Sequence, residues 1–229
     1  MELLPGIHQV DGVGSNVFVI VEPDGLTVID TGLPGSGPKI LTYVERLGKR
    51  AGDVRRILLT HQHADHVGGA AALAQATGAE VVAHAADAPA IEGRAARELP
   101  RNAAMRLVFR AVIIPRLRPV AVGRLVGDGE MVGALAGEGG LRVVATPGHT
   151  RGQIAFYAPG RRVLFGGDAY VHTRGRVGPP PAMFTADMAQ ARKSLAALAA
   201  LDVAASLPGH GAPITQGAVE LLARAVRVM

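Results

Sequence analysis

The 229-residue sequence contains no cysteine and no tryptophan, and only 3% of its residues are aromatic. The absence of cysteine excludes disulfide bonds, thiolate nucleophiles and cysteine ligation of a metal. No segment reaches the roughly 18 consecutive apolar residues that a membrane-spanning helix requires. The N-terminal residues lack a basic region followed by an apolar run, so the sequence predicts no secretory signal and favours a cytoplasmic protein.

Lysine is also scarce, because the chain has only Lys39, Lys49 and Lys193, and the net charge of +5 comes almost wholly from arginine. This charge is typical of a solvated basic surface, with an anionic substrate as the alternative. No basic run is interleaved with aromatic residues, which argues against nucleic-acid binding. The chain is 48% hydrophobic and can bury a substantial core, so we expect one domain over residues 1–229.

The most informative segment runs from Thr60 to His66 and contains His61, His63, Asp65 and His66. Neutral imidazole and carboxylate are ligands of Zn²⁺, Fe²⁺ or Mn²⁺. An apolar run precedes the segment and small residues follow it, which predicts a strand, a ligand-bearing loop and a helix. In extended backbone, His61, His63 and Asp65 point to one side. His66 joins them only if the chain turns there.

Three further candidates follow apolar strands. His149 and His210 each lie in a Pro-Gly-His turn, and Asp168 follows Gly166 and Gly167 at the end of a buried strand. A carboxylate directly after a buried strand needs a partner, because burying it unpaired is very costly. The sequence therefore predicts that these groups and the opening segment share one site.

Short β-branched runs alternate with helical patterns along most of the chain, which indicates an α/β protein. Residues 16–21 and 26–30 predict a β-hairpin. Residues 85–120 differ, because 85–97 and 102–114 have helical patterns and Pro115 and Pro119 end them. We interpret this region as a helical insertion that packs on the core, covers the site, or forms a homodimer contact.

The motifs together resemble the metallo-β-lactamase-fold hydrolase superfamily. The resemblance spans nearly the whole chain except residues 85–120, and it also includes Val28-Ile29-Asp30-Thr31-Gly32. It implies a four-layer αββα sandwich of two mixed β-sheets flanked by helices. The ligand set is similar to that of lactonases and glyoxalase II rather than of a classical β-lactamase. The β-lactamases of this fold either place a cysteine on the second metal or generally lack the bridging aspartate.

The resemblance also implies two metal ions, written here as Zn²⁺ with iron or manganese as alternatives. His61, His63 and His149 would hold the first, and Asp65, His66 and His210 the second. Asp168 would bridge them opposite a shared hydroxide. Two close dications lower the pKa of a shared water and polarise a carbonyl. The expected activity is hydrolysis of a small lactone, thioester or ester, with catalytic roles for Asp65 and Asp168.

Two other activities remain open: a mononuclear iron oxygenase of the persulfide dioxygenase type, and phosphodiester hydrolysis. Glyoxalase II and the persulfide dioxygenases usually continue from the bridging aspartate with Gly-Cys-Gly-Arg, which this chain replaces with Ala169-Tyr170-Val171-His172. Tyr170 could assist the leaving oxygen, although a packed tyrosine is the commoner outcome. Arg174 and Arg176 could bind an anionic group or lie on a solvated loop.

Three polar residues have weaker predictions. Asp30 could accept the distal N–H of a ligand histidine and so fix its orientation, or it could only cap a strand end. His84 could be structural or could line the pocket. His8 is expected at the surface.

Overall fold

A computed structural model describes residues 1–133 and 139–229. Two β-sheets face each other across an apolar core, in which the rings of Phe18 and Phe165 meet edge to face at 5.5 Å. Alternation along one strand shows how the sequence builds the layers. Phe18 and Ile20 point into this core, whereas Val17 and Val19 point toward the helices outside, as the two-residue period of a strand requires.

The first sheet has seven strands in the order of the chain. The first four are antiparallel neighbours and the last four are parallel, so β4 belongs to both halves. The strands are β1 (Glu2–Leu4), β2 (Ile7–Val10), β3 (Val17–Glu22), β4 (Gly25–Ile29), β5 (Val54–Leu58), β6 (Glu80–His84) and β7 (Arg124–Val126).

The second sheet has five strands in the order β14-β11-β10-β9-β8, of which only β14 and β11 are parallel. A separate two-stranded hairpin, β12 and β13, follows β11 along the chain. The strands are β8 (Met131–Val132), β9 (Leu141–Ala145), β10 (Ile154–Ala158), β11 (Val163–Gly167), β12 (Val171–Thr173), β13 (Arg176–Gly178) and β14 (Ala205–Pro208).

Helices cover the outer faces of both sheets. Ile40, Val44 and Leu73 pack with the first sheet, and Leu195 and Leu222 pack with the second. The helices are α1 (Gly37–Arg46), α2 (Ala64–Val67), α3 (Ala70–Thr77), α4 (Ala88–Ile91), α5 (Ala103–Val108), α6 (Met188–Ala199) and α7 (Ala218–Arg227). The predicted four-layer αββα sandwich of two mixed sheets is confirmed.

The predicted hairpin is confirmed as β3 and β4, which pair up to Glu22 and Gly25. Two predictions need correction. The single helix predicted after the ligand-bearing loop is divided into α2 and α3 at Gly68 and Gly69, where the chain packs closely against the backbone of Leu33, Pro34 and Thr31. His8 is not at the surface, since β2 buries it beside the Tyr43 ring.

The region over residues 85–120 contains less regular helix than predicted. The first helical segment shortens to α4, which ends at Ile91, two residues before Gly93 with its positive φ of 72°. The second is α5, which continues as one π-helical turn over Phe109–Ile113 and a 3₁₀ turn over Ile114–Arg116. Among the described residues, no helix has the length and apolar character needed to cross a membrane.

Candidate metal centre

All the candidate ligands lie where strands end at one edge of the two sheets. The segment from His61 to His66 follows β5, whereas His149, Asp168 and His210 follow β9, β11 and β14. The sandwich brings the ends of these four strands together, so residues far apart in sequence become neighbours. The turn into α2 also redirects His66 toward the side of His61, as the sequence required.

The candidate ligand atoms form overlapping groups. His61, His63 and His149 form one group, and Asp65, His66 and His210 form another. His61, His66 and Asp168 form a third that overlaps both. In every group, the potential ligand atoms lie within 4.8 Å of one another, which is the spacing expected of side chains around a metal ion.

Asp168 lies between the first two groups. Its Oδ1 atom is 3.3 Å from Nε2 of His66, and its Oδ2 atom is 3.4 Å from Nε2 of His149 and 3.5 Å from Nε2 of His210. The side chain of Asp168 is 7% exposed. One side chain therefore presents an oxygen to histidines of both groups, which is the arrangement that a bridging ligand requires.

Hydrogen bonds at the far side of three imidazoles orient them inward. The Nδ1 atoms of His61, His66 and His149 lie 3.0 Å from Thr60 Oγ1, 2.8 Å from Asp30 Oδ2 and 3.2 Å from Thr185 Oγ1. Such contacts fix the ring orientation and leave Nε2 for a metal.

Three buried atoms at this point lack a hydrogen-bond partner among the described residues: Nε2 of His61, Nε2 of His149 and Oδ1 of Asp168. Buried polar atoms are normally satisfied. Donor atoms of these types that converge without partners fit a metal ion of the zinc, iron or manganese type.

The electrostatics differ between the two groups. Burial lowers the pKa of His63 to about 4 and that of His149 to about 3, and it lowers the pKa of His61 well below its usual value. These imidazoles are therefore neutral at pH 7, which is the form that binds metal.

Carboxylates dominate the second group. Burial by itself would lower the pKa of His66, but Asp168, Asp30 and Asp65 outweigh it and raise the pKa well above its usual value. Burial would likewise raise the pKa of Asp65, but His66 and His210 lower it to about 2. This concentration of negative charge attracts cations.

Asp30 performs the orienting contact that the sequence suggested. Its Oδ2 atom contacts His66, and its Oδ1 atom accepts a 2.8 Å hydrogen bond from the backbone N–H of Thr60. The residue has a φ of 58°, a conformation that aspartate tolerates better than most residues. The same carboxylate therefore fixes both a candidate ligand and the backbone before His61.

Asp87 is a residue that the sequence analysis missed. Its buried carboxylate accepts hydrogen bonds from the backbone N–H of Gln62 at 2.9 Å, the Thr150 hydroxyl at 2.7 Å and the backbone N–H of Gly152 at 2.8 Å. It thus joins the loop of His61 and His63 to the loop of His149. Asp87 lies three residues after β6, and Asp30 and Asp168 also follow strands. An aspartate shortly after an apolar strand was therefore the sequence feature that could have identified it.

Two glycines in the Pro-Gly-His turns permit the close packing of the site. A Cβ atom at Gly209 would lie 2.2 Å from Oδ1 of Asp168 and 2.9 Å from Cε1 of His66. A Cβ atom at Gly148 would lie 2.3 Å from the backbone nitrogen of Ala191 in α6. The proline-glycine pattern thus has a steric cause in addition to its turn geometry.

A cavity of about 340 Å³ opens onto five of the candidate ligands. Its other walls are mainly apolar and include Phe109 and Ile113 from the region after α5. This region therefore contributes a wall beside the site. Whether it also mediates dimer contacts stays a prediction.

Tyr170 is not among the residues that line this cavity. Its fully buried side chain packs in the core between the second sheet and the helices α6 and α7. Its hydroxyl forms a hydrogen bond with the hydroxyl of Ser206. Burial raises the pKa of Tyr170 well above its usual value. The suggested contact with a leaving oxygen therefore has no support in this arrangement.

The remaining polar candidates also lie outside the cavity. Arg174 and Arg176 are exposed at the end of the β12–β13 hairpin. Nδ1 of His84 accepts a hydrogen bond from the backbone N–H of Ala86 at 3.2 Å, which stabilises the turn after β6. The structural interpretation of His84 thus agrees with its surroundings.

The fold and the site define a class of αββα proteins that gather histidine and aspartate side chains at one edge of two sheets. The chain belongs to the metallo-beta-lactamase superfamily, whose model matches residues 10–210. The predicted membership is thereby confirmed.

Relatives extend over most of the chain. A probable metallo-hydrolase, YflN, of Bacillus subtilis is 28% identical to this chain. The alignment covers 93% of this chain and 87% of the relative. A hydroxyacylglutathione hydrolase of Rhodobacter capsulatus is 35% identical over 69% of this chain, but only 51% of that enzyme is covered. The structure of a metallo-beta-lactamase family protein of Thermus thermophilus matches with a TM-score of 0.75 at 25% identity. The match covers 99% of this chain and 80% of that chain.

Proposed function

We propose that this protein is a dinuclear, metal-dependent hydrolase of a small ester, thioester or lactone, with zinc as its metal. The observation that carries the proposal is the position of Asp168, which presents one oxygen to His66 and the other to His149 and His210. A mononuclear site has no need of a carboxylate between two groups of imidazoles. The superfamily and the relatives named as hydrolases agree with this activity.

Each set of residues would have a separate role in this activity. His61, His63 and His149 would hold one ion as neutral ligands, and Asp65, His66 and His210 would hold the other. When bound, two such ions supply a hydroxide nucleophile at neutral pH and an electrophilic contact for the carbonyl oxygen. Asp30 and Asp87 would hold the ligand loops in place, and the apolar cavity would orient the carbonyl compound and exclude water around it.

Metal analysis combined with a turnover assay tests the proposal. Protein loaded and then dialysed should retain close to two zinc ions per chain and hydrolyse a carbonyl ester such as p-nitrophenyl acetate. Asp168→Ala should abolish turnover and lower zinc content. Asp11→Ala removes an exposed aspartate outside the site and should behave as the wild type.

Three results would contradict the proposal. One is a single iron per chain with oxygen consumption on a thiol or persulfide, which would support the oxygenase. Another is full turnover by folded Asp168→Ala with two bound ions. Hydrolysis of a phosphodiester without hydrolysis of any carbonyl ester would likewise favour the third activity.

A further inference from the structure

The cavity beside the candidate ligands has an unusually uniform chemical character. Apolar side chains from several separate segments form most of its walls, and they are Leu33, Ala64, Pro100, Phe109, Ile113, Val171, Pro181 and Phe184. The rings of Phe109 and Phe184 approach to 6.2 Å between centroids. The turn that carries Phe184 is also close to the ligands, because Thr185 contacts Nδ1 of His149. The apolar wall therefore begins directly beside the proposed reaction site.

The cavity also has few charged side chains apart from the candidate ligands. Among the described residues that line it, none is lysine or arginine, and Glu98 is the one ionisable side chain besides the candidate ligands. The Oε2 atom of Glu98 is buried and has no hydrogen-bond partner within the described chain. Nearby Arg97 directs its guanidinium to the backbone carbonyls of Gln62 and Ile91. The arginines that give the chain its positive charge thus lie outside the lining of the cavity.

We propose that the substrate is an uncharged carbonyl compound with an apolar chain, and that this chain packs against Phe109, Ile113 and Phe184. This inference rests on the proposed hydrolase function and names its substrate class. A substrate with several carboxylates, such as a glutathione thioester, would meet Glu98 but no lysine or arginine in the apolar part of the cavity, away from the proposed ions. Desolvating its charges there is costly. The chain would therefore differ in specificity from the relatives named as hydroxyacylglutathione hydrolases.

The segment after α5 gives this proposal a matched control. Phe109 and Ile113 are four residues apart and face the cavity, whereas Leu107 and Val112 are 69% and 42% exposed. Phe109 and Ile113 therefore form the inner face of this segment, and Leu107 and Val112 form its outer face. Truncation on the inner face should therefore change substrate preference, and truncation on the outer face should not.

The experiment measures kcat/KM of the zinc-loaded enzyme on p-nitrophenyl esters from acetate to octanoate. Each methylene that enters the cavity should raise kcat/KM about fourfold until the wall is filled. Phe109→Ala and Ile113→Ala should flatten this increase, because each substitution removes apolar wall area that the longer chains contact. Val112→Ala should keep the wild-type slope. If Phe109→Ala does not fold by circular dichroism, Phe109→Leu should show a smaller change in the same direction.

Two matched pairs of substrates test the charge. Neutral p-nitrophenyl pentanoate should be hydrolysed at least about tenfold better than the p-nitrophenyl monoester of glutaric acid, and S-hexanoyl-N-acetylcysteamine better than S-hexanoylglutathione. Glu98→Gln should reduce both differences, because it removes the carboxylate charge and keeps the shape of the side chain.

The outcomes separate the two proposals. No hydrolysis of any ester or thioester by enzyme that holds zinc would overturn the proposed function and this inference with it. Hydrolysis that is fastest on the glutathione thioester, or that is independent of chain length in the wild type, would overturn only the substrate class. An equal loss in Val112→Ala and Ile113→Ala would show that the effect is not due to the cavity wall.

Discussion

The Oδ2 atom of Asp87 accepts a 2.7 Å hydrogen bond from the hydroxyl of Thr150, although the two residues are 63 positions apart. The same atom accepts a hydrogen bond from the backbone N–H of Gln62. Since Gln62 lies between His61 and His63 and Thr150 follows His149, one carboxylate fixes the spacing of all three histidines. The geometry of the first ligand group therefore depends on a residue that is not itself a candidate ligand.

Asp87→Ala should weaken binding of the first metal about 10- to 100-fold, as loss of an orienting contact typically does. Chelator competition on folded protein measures this affinity, and Asp11→Ala serves as the exposed control. Asp87→Asn keeps one acceptor oxygen and should give a smaller loss. Unchanged metal affinity in Asp87→Ala, with its thermal stability lowered, would reduce the role of Asp87 to fold stability.

Asp30→Asn should weaken the second ligand group selectively. Asparagine tolerates the positive φ of this position, and its oxygen can still accept the N–H of Thr60. It cannot supply the negative charge beside Nδ1 of His66. We expect affinity for the second ion to fall about 10- to 100-fold while the first is retained. Equal loss of both ions, measured by titration calorimetry, would contradict this division.

Acid should release the second ion before the first. Carboxylates outweigh burial and raise the pKa values of His66 and His210, so protons compete for these ligands at a higher pH. Burial lowers the pKa of His63 to about 4 and that of His149 to about 3, so protons compete there only at lower pH.

A pH series on cobalt-loaded protein tests this order. The first equivalent lost on acidification should carry the absorption bands that His210→Ala lacks at pH 7. Simultaneous loss of both equivalents, or earlier loss of the ion held by His63 and His149, would contradict the assignment.

Gly209→Ala should abolish activity, because its methyl group would lie 2.2 Å from Oδ1 of Asp168. The substituted side chain displaces the carboxylate or the turn that carries His210, and either movement separates the two ligand groups. Gly52→Ala is the control, since no atom lies within 4 Å of a Cβ atom there. Wild-type kcat/KM and metal content in Gly209→Ala would show that the turn can adjust without cost.

Tyr170→Phe should keep its activity and lose stability. The hydroxyl of Tyr170 bonds Ser206 in a core away from the cavity, and removing it leaves the Ser206 hydroxyl without that buried partner. The expected loss is about 1–3 kcal/mol in the free energy of unfolding, measured by urea denaturation. A large drop in kcat at unchanged stability would restore the tyrosine to a catalytic role.

Local patterns in the sequence determined much of the fold. The hairpin of β3 and β4 and the strands β6 and β9 follow from short runs of β-branched residues bounded by turn residues. Strands β1, β7, β8, β12 and β13 have two to three residues each, which is too short to produce a period. Their positions depend on pairing with a neighbouring strand and not on a pattern of their own.

The candidate ligands could also be named from sequence, because histidine and aspartate directly after apolar strands are hard to explain otherwise. The surroundings of each side chain in the folded protein could not be predicted from the sequence. Tyr170 lies two residues after Asp168, yet its side chain packs on the helix side of the second sheet, away from the cavity. Asp87 lies outside every motif, yet it joins two ligand loops.

The sequence by itself determined which chemistry is available: imidazole and carboxylate ligands, no thiolate, and loops at strand ends that can hold them. Only the tertiary structure decided which groups meet, since the paired sheets bring His66, His149, Asp168 and His210 within 3.3–3.5 Å contacts. It also decided the character of the cavity. Exposure and charge around a substrate depend on packing between distant segments, and a linear pattern does not specify that packing.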